Sequence, residues 1–345
     1  MRAMVIERYG EPLRMADLPA PSPGHGQVLV RVLGCGVCRS DLKVAAGAMP
    51  FSATLHLPHV PGHEISGEIA ALGPGASGSV GDRVVVYHYW SCRNCPYCQA
   101  GEENLCLNLR GWAGFSSPGG FQEYLAVPDD CVLPLPDNVA PERGGPLTCA
   151  LGTAYHGVVT RGTLRAGESA VVLGAGGVGL HAVQVARACG AAAYAVDVQA
   201  HRLVAAREVG ALGAFPAGEE AAARVREATR GLGADLVVDT VGHHGSVAAA
   251  AALVRSGGRI VEVGYTTQAE EYPPLPTERL VLGQLTVLGS RYTTRRELRS
   301  AIDLVARGLV RPVISAEVPL ERANEALAMV GEDRATGRVI VRVGG

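Results

Sequence analysis

Apolar positions in the first 150 residues fall in short runs rather than helical stripes. QVLVRVLGCGVC (27–38), SGEIAALG (66–73), GDRVVVYHY (81–89) and FQEYLAVP (121–128) are Val-rich segments broken by Gly, Pro and Asp. Such runs predict the strands of a compact, barrel-like β domain. Pro19, Pro21 and Pro23 mark a surface turn near its start.

The pattern changes near Pro146. SAVVLGAG (169–176) reads as a strand, and VGLHAVQVARACG (178–190) as a helix with a glycine stop. AYAVDV (193–198) is a strand and AHRLVAAREVGA (200–211) a helix. ADLVVDTVG (234–242), GRIVEVGY (258–265) and LTVLGS (285–290) are further strands, the first two separated by the Ala-rich helix HGSVAAAAALVRSG (244–257). This βαβα rhythm predicts a doubly wound parallel sheet, so the chain is α/β with a β-rich companion domain. The remainder offers an amphipathic helix (RRELRSAIDLVARG, 295–308), a strand (VISAEVPL), a helix (ERANEALAMV) and a strand (GRVIVRVG). No fixed-period repeat is present.

Composition narrows the classes. A length of 345 residues predicts two domains. Lys plus Arg is 31 against 33 Asp plus Glu, a net charge of −2, which argues against nucleic acid as a partner. Hydrophobic residues at 48% and charged residues at 19% exclude a disordered chain. The longest charge-free apolar stretch, Ala170 to Ala186, holds four glycines, a histidine and a glutamine, and reads as strand, turn and helix rather than a membrane span. The opening MRAMVIERYGEP has no apolar core of signal-peptide length, so a cytoplasmic, reducing compartment is expected, with no membrane partner. Nine cysteines, an odd count in a long chain, exclude a small disulfide scaffold and direct attention to metal.

Cys92, Cys95, Cys98 and Cys106 are spaced C-x2-C-x2-C-x7-C. Two-residue spacers let one loop wrap a tetrahedral zinc ion, and four cysteines leave no open position, so such a site stabilises rather than catalyses. Iron–sulfur clusters use similar spacings, and the spacing alone leaves both open.

Gly174-Ala-Gly176-Gly177-Val178-Gly179 fits G-x-G-x-x-G in the context that gives the pattern meaning, after a strand and opening a helix. Gly174 suits the tight turn, Gly176 lets backbone approach a pyrophosphate, and Gly179 lets helix and strand pack closely. Asp197 ends the next strand, 23 residues after Gly174, where a carboxylate accepts ribose hydroxyls and repels a 2′-phosphate. No basic residue is adjacent to it, so NAD(H) is predicted over NADP(H). Arg202 either flanks the adenosine ribose or lies on a solvated helix face.

Three further segments carry metal-ligand chemistry: Cys38 in GVCRSD, His63 and Glu64 in PGHEISGEIAALG, and Cys149 in PLTCALGTAYHG. Two cysteines and a histidine are a three-ligand zinc set with a fourth position open to substrate. Their spacing does not assemble them, and Cys149 alone would be read as a small buried hydrophobe.

GHEISGEIAALGPGA, CRSD at 38–41, the cysteine lobe and the glycine fingerprint occur in an order that resembles the zinc-dependent medium-chain alcohol dehydrogenases, over essentially the whole chain. The resemblance implies a GroES-like catalytic domain over 1–150 and 293–345, with a structural zinc lobe at about 90–110, and a Rossmann domain over 151–292. It implies two Zn2+ per chain: catalytic zinc on Cys38, His63 and Cys149, with Glu64 as an exchange ligand, and structural zinc on Cys92, Cys95, Cys98 and Cys106. Asp41 then orients the ligand histidine, Ser40 takes the alcohol proton, and Arg39 meets the cofactor pyrophosphate. The implied reaction interconverts an alcohol and an aldehyde or ketone with NAD, and the implied assembly is a homodimer or homotetramer, with LTVLGS pairing across the dimer axis. The alternatives are a related reductase of an activated C=C bond, such as an enoyl-thioester, and a non-enzymatic NAD-binding protein. Where some members place a relay histidine, this chain has Lys43. Trp90, Trp112, Phe115, Met49, Phe51, Leu57 and Tyr89 are candidates for an apolar substrate pocket.

Overall fold

The structure is a computed structural model, and it describes residues 1–50, 52, 55–266 and 276–344. The chain forms two compact units, one of Met1–Cys149, Thr294–Ala306 and Ile314–Gly345, the other of Ala150–Thr293 and Arg307–Val313.

The first unit is built on a seven-stranded sheet. Its strands run Ile314–Pro319, Arg338–Arg342, Gln27–Val37, Glu64–Leu72, Arg83–Val86 and Val132–Pro134, with Tyr124–Pro128 also paired to Gln27–Val37. All neighbours are antiparallel except the first pair. Period-two burial explains the long strand: Val28, Val30 and Val32 are fully buried while Arg31 between them is exposed. A hairpin of Arg2–Val5 with Arg14–Asp17, and the short helix Arg39–Ala45, were not legible in the hydrophobic pattern.

The second unit is a six-stranded, all-parallel sheet in the order Gly213–Pro216, Ala192–Asp197, Ser169–Leu173, Ala234–Asp239, Val254–Glu262, Thr286–Gly289. This is the doubly wound order predicted from the βαβα rhythm. Its inner strands read as unbroken apolar runs because helices cover both faces. On one face Val171, Leu173, Val196, Val237 and Ile260 pack against Val225, Ala250 and Leu253 of the helices. The sequence reading omitted the edge strand Gly213–Pro216, the helix Ala221–Ala228, and the π-helical His156–Arg161 that continues the helix Ala150–Tyr155.

One boundary needs correction. Residues 307–313, expected with the first domain, belong to the second unit. Gln184, on the helix Gly177–Ala188, donates through Nε2 to Arg311 O at 3.1 Å and accepts the Arg311 N–H through Oε1 at 2.9 Å. A buried side-chain amide satisfied at both ends holds that segment in place. Among the described residues, no helix is long and apolar enough to cross a membrane.

Candidate functional site

Cys38 caps the helix Arg39–Ala45 with extended backbone (φ −116°, ψ 159°). Asp41, one turn in, accepts the Cys38 N–H through Oδ2 at 2.8 Å. Its Oδ1 lies 2.8 Å from His63 Nδ1, and both side chains are fully buried. One carboxylate thus fixes the backbone of one candidate ligand and the ring of another, the device that sets the tautomer of metal-binding histidines. Gly62 (φ +95°) turns the chain into His63, and a Cβ there would meet Phe121 Cδ1 at 2.6 Å.

The ligand atoms of Cys38, His63, Glu64 and Cys149 lie within 4.8 Å of one another. His63 Nε2 is buried there with no hydrogen-bond partner, an arrangement that costs free energy unless a further group satisfies it. Two sulfurs and an imidazole are the donor set of an open zinc site, and the residues present fit that ion. Glu64 is held differently. Arg338 Nε donates to both its oxygens, at 2.8 and 3.0 Å, and the Arg338 NH2 group lies 3.6 Å from Cys38 Sγ. Glu64 is fully buried and Arg338 is 6% exposed. Arg338 escaped the sequence reading. Its only local signal is a charge at the head of the apolar strand Arg338–Arg342, which pairs with Gln27–Val37.

The electrostatics follow from burial and these partners. The hydrogen bond from Cys149 holds the Cys38 thiol well below its ordinary pKa, against burial and with help from Arg338 and His63. Burial opposes protonation of His63, but Asp41 and Cys38 outweigh it and raise its pKa. Burial pushes Glu64 up to about 7 while Arg338 pulls it down.

Ser40 Oγ lies 3.9 Å from Cys38 Sγ, beside the ligand set. Lys43 is half-buried, and burial lowers its pKa against the pull of Cys38. Arg39 is exposed and ion-paired with Asp333. Of the candidate pocket residues, Phe115 lies 4.8 Å from the His63 ring and stacks on Trp112 at 4.1 Å, with Tyr89 edge-on to Trp112 at 5.5 Å. The unforeseen His88 ring is 5.2 Å from His63. Trp90 and Met49 are buried, Leu57 is exposed, and Phe51 lies outside the described residues.

The cysteine lobe is assembled by its backbone. Cys92 Sγ accepts N–H groups from Asn94 (3.5 Å) and Cys95 (3.3 Å), and Cys106 Sγ accepts from Cys92 (3.2 Å). The sulfurs of Cys95 and Cys98 are 3.5 Å apart, and all four ligand atoms lie within 4.8 Å of one another. Sulfurs crowded this closely and fed by amides fit a single tetrahedral ion. Backbone N–H groups of Leu107 and Cys98 bring the Cys95 thiol down to about 6. Asp130 anchors the lobe by accepting from Arg93, Arg110 and Arg295.

In the second unit, Gly174 (φ +83°) makes the turn after Ser169–Leu173, and Gly176 caps the helix Gly177–Ala188. A Cβ on Gly176 would meet nothing within 4 Å, so open space lies over the helix N-terminus. A Cβ on Gly179 would fall 1.8 Å from Gly174 O, which explains that glycine by helix–strand packing. Val178 is half-buried in the first turn. Asp197 accepts Ala175 N–H at 2.6 Å and Gln199 N–H at 2.8 Å, so it braces the fingerprint turn itself. Thr240, not singled out by the sequence, donates to Leu173 O (2.8 Å) and Gly174 O (2.9 Å) from the neighbouring strand end. Arg202 is half-buried on the helix Ala200–Glu208.

Two family models match the chain: "Alcohol dehydrogenase GroES-like domain" over residues 24–137 and "Zinc-binding dehydrogenase" over 177–307. An alcohol dehydrogenase of Geobacillus stearothermophilus is 35% identical, the match covering 99% of this chain and 100% of the relative. An acryloyl-coenzyme A reductase of Metallosphaera sedula is 30% identical over 99% of both chains. A crystal structure of an NAD-dependent alcohol dehydrogenase superposes with a TM-score of 0.94 at 33% identity, covering all of both chains.

Proposed function

The chain belongs to the zinc-dependent medium-chain alcohol dehydrogenase family, and on that premise we propose that it interconverts an alcohol and an aldehyde or ketone with NAD(H). The observation that carries the reading is the gathering of Cys38, His63 and Cys149 around an orphaned imidazole nitrogen. On this reading the first unit is the GroES-like catalytic domain and the second the Rossmann domain.

Cys38, His63 and Cys149 hold the catalytic zinc, which when bound supplies a Lewis acid that lowers the pKa of the substrate hydroxyl. Asp41 keeps the His63 ring turned so that Nε2 faces the metal. Arg338 donates to both Glu64 oxygens, and Glu64 would act as an exchange ligand beside the three. Ser40 Oγ takes the hydroxyl proton of the substrate, and Lys43 stands where an outer relay group would be. The nicotinamide, when bound, supplies the hydride chemistry. Gly174, Gly176, Gly177, Val178 and Gly179 present the turn and helix amides to its pyrophosphate, with Arg39 as a further cation for it. Asp197 favours NAD over NADP by repelling a 2′-phosphate, with Arg202 beside the ribose. Cys92, Cys95, Cys98 and Cys106 hold a second, structural zinc. The substrate class we favour is an aromatic or medium-length aliphatic alcohol, from Phe115 and Trp112 beside His63. The exposed edge strand Thr286–Gly289 supports a homodimer or homotetramer, and six metal-directed thiols support a cytoplasmic, reducing setting for their upkeep.

The Metallosphaera relative favours a second reading, reduction of an activated C=C bond. The test is a product assay on the zinc-loaded protein with primary, secondary and aromatic alcohols and NAD, beside an enoyl-thioester and NADH. Carbonyl product is expected with NAD, and no activity in Cys38→Ser. Alkene reduction without alcohol oxidation, or full activity in a Cys38→Ser protein that has lost its metal, overturns the proposal.

A further inference from the structure

The parallel strands Ala234–Asp239 and Val254–Glu262 end on a register pair of acids, Asp239 beside Glu262. Neighbouring register partners of a parallel sheet project to the same face, so the two carboxyl groups meet. Asp239 is fully buried. Its Oδ1 is committed, accepting Val241 N–H at 2.8 Å and Gly242 N–H at 3.2 Å. Its Oδ2 and Glu262 Oε1 are both buried with no hydrogen-bond partner. Two ionised carboxylates in that position would carry two orphaned acceptors and a like-charge repulsion. One proton removes all three penalties.

These acids stand where two loops meet. Val263 N–H and Gly264 N–H both donate to Asp239 O, at 2.9 and 3.1 Å. Gly242 (φ +72°) and Gly264 lie backbone to backbone, so that a Cβ on Gly242 would fall 2.0 Å from Gly264 C. The first loop reaches the glycine fingerprint directly. Thr240 Oγ1 donates to Gly174 O, and a Cβ on Gly174 would lie 2.7 Å from Thr240 Oγ1 and from Val241 Cγ2. The strand ends Leu173 and Asp239 are adjacent in the sheet, at the point where strand order reverses and dinucleotides bind.

We propose that Glu262 is held as a carboxylic acid donating from Oε1 to Asp239 Oδ2, and that this shared proton latches the 240–242 loop against the fingerprint turn, making Glu262 a positioning residue for the dinucleotide. The inference rests on the nucleotide-binding reading given above. Glu262 titrates in the right range: burial and then the Asp239 carboxylate push it up to about 8. Asp239 is the charged group that raises it beside burial. The Thr286–Gly289 strand brings no titratable group against it. The helix His244–Leu253 carries His244, with His243 at its cap turned onto Gly245 N–H. The π-helical segment carries His156 and Arg161, the latter bound to Gly289 O.

The experiment uses the full-length, zinc-loaded protein. An infrared difference spectrum of wild type against Glu262→Gln at neutral pH is expected to contain a carboxylic-acid C=O band from the wild type. NADH affinity, read by fluorescence titration, is expected to weaken about fivefold as pH rises through the Glu262 titration, the scale of one buried unpaired acceptor. Glu262→Gln keeps a neutral donor and is expected to hold its affinity flat across that range, while Glu262→Ala binds weakly throughout. The change is expected in KM for NAD rather than in kcat. Absence of the acid band, or a Glu262→Gln protein with the wild-type pH profile, overturns the proposal. A wild-type protein that binds no NADH at any pH overturns the nucleotide reading instead, with the acid band still reporting on the shared proton.

Discussion

Asp41 lies between His63 Nδ1 and the Cys38 backbone N–H, 2.8 Å from each, so its two oxygens serve two different metal-directed residues. Replacing Asp41 by Asn keeps the shape and removes the charge that favours the Nδ1–H tautomer. Zinc affinity and kcat/KM are expected to fall about 10- to 100-fold, the usual effect of losing the partner behind a metal-binding histidine. Competition with a chelating dye measures the first and steady-state kinetics the second. An unchanged zinc affinity would remove Asp41 from that role.

Cys95→Ser breaks the cysteine lobe without touching Cys38, His63 or Cys149. Metal content is expected to drop from two zinc ions per chain to one, with a lower Tm and retained turnover at moderate temperature. Structural zinc contributes folding free energy directly, whereas an open site contributes chemistry. Loss of turnover in a protein that keeps its thermal midpoint would contradict the division of the two sites.

Asp197→Asn keeps one of the two oxygens that accept Ala175 and Gln199 N–H and removes the charge proposed to face the ribose. The ratio of kcat/KM for NAD to that for NADP is expected to fall about 10- to 100-fold, the worth of a hydrogen bond to a charged group. Parallel kinetics with both cofactors test it, and an unchanged ratio would show that discrimination lies elsewhere.

Glu262 also sets a pH dependence of stability. Its folded pKa of about 8 lies above the ordinary 4.5, so the folded state binds this proton more tightly than the unfolded chain does. The contribution is fully present below pH 4.5 and is lost as pH rises to about 8. Denaturant midpoints are expected to fall across that window more steeply in wild type than in Glu262→Gln. Parallel slopes for the two proteins would refute the raised pKa.

The fold was legible where signals are local. The cysteine lobe declares itself because its ligands sit within fifteen residues of one another, and Gly179 because its neighbour Gly174 is in the same motif. The parallel sheet was legible because strands buried on both faces are apolar throughout. What escaped was made by distant pairing. Arg338 meets Glu64 across 274 residues, and nothing near either residue signals the other. The Asp239–Glu262 pair depends on strand register, which a sequence pattern does not fix when both faces are buried. The edge strand Gly213–Pro216 is short and ends in proline, so it carried no strand signature.

The Glu64–Arg338 pair also imposes an order on synthesis. Glu64 leaves the ribosome well before Arg338, with every residue of the second unit made in between. The Rossmann unit therefore has all of its chain while the first unit still lacks the strand Arg338–Arg342 that closes its sheet and neutralises a buried carboxylate. Cys38, His63 and Cys149 have then been translated, but the pocket that shields them is unfinished. A nascent chain stalled ahead of Arg338 would therefore hold the complete sequence of the second unit while Glu64 still lacked the cation that pairs with it.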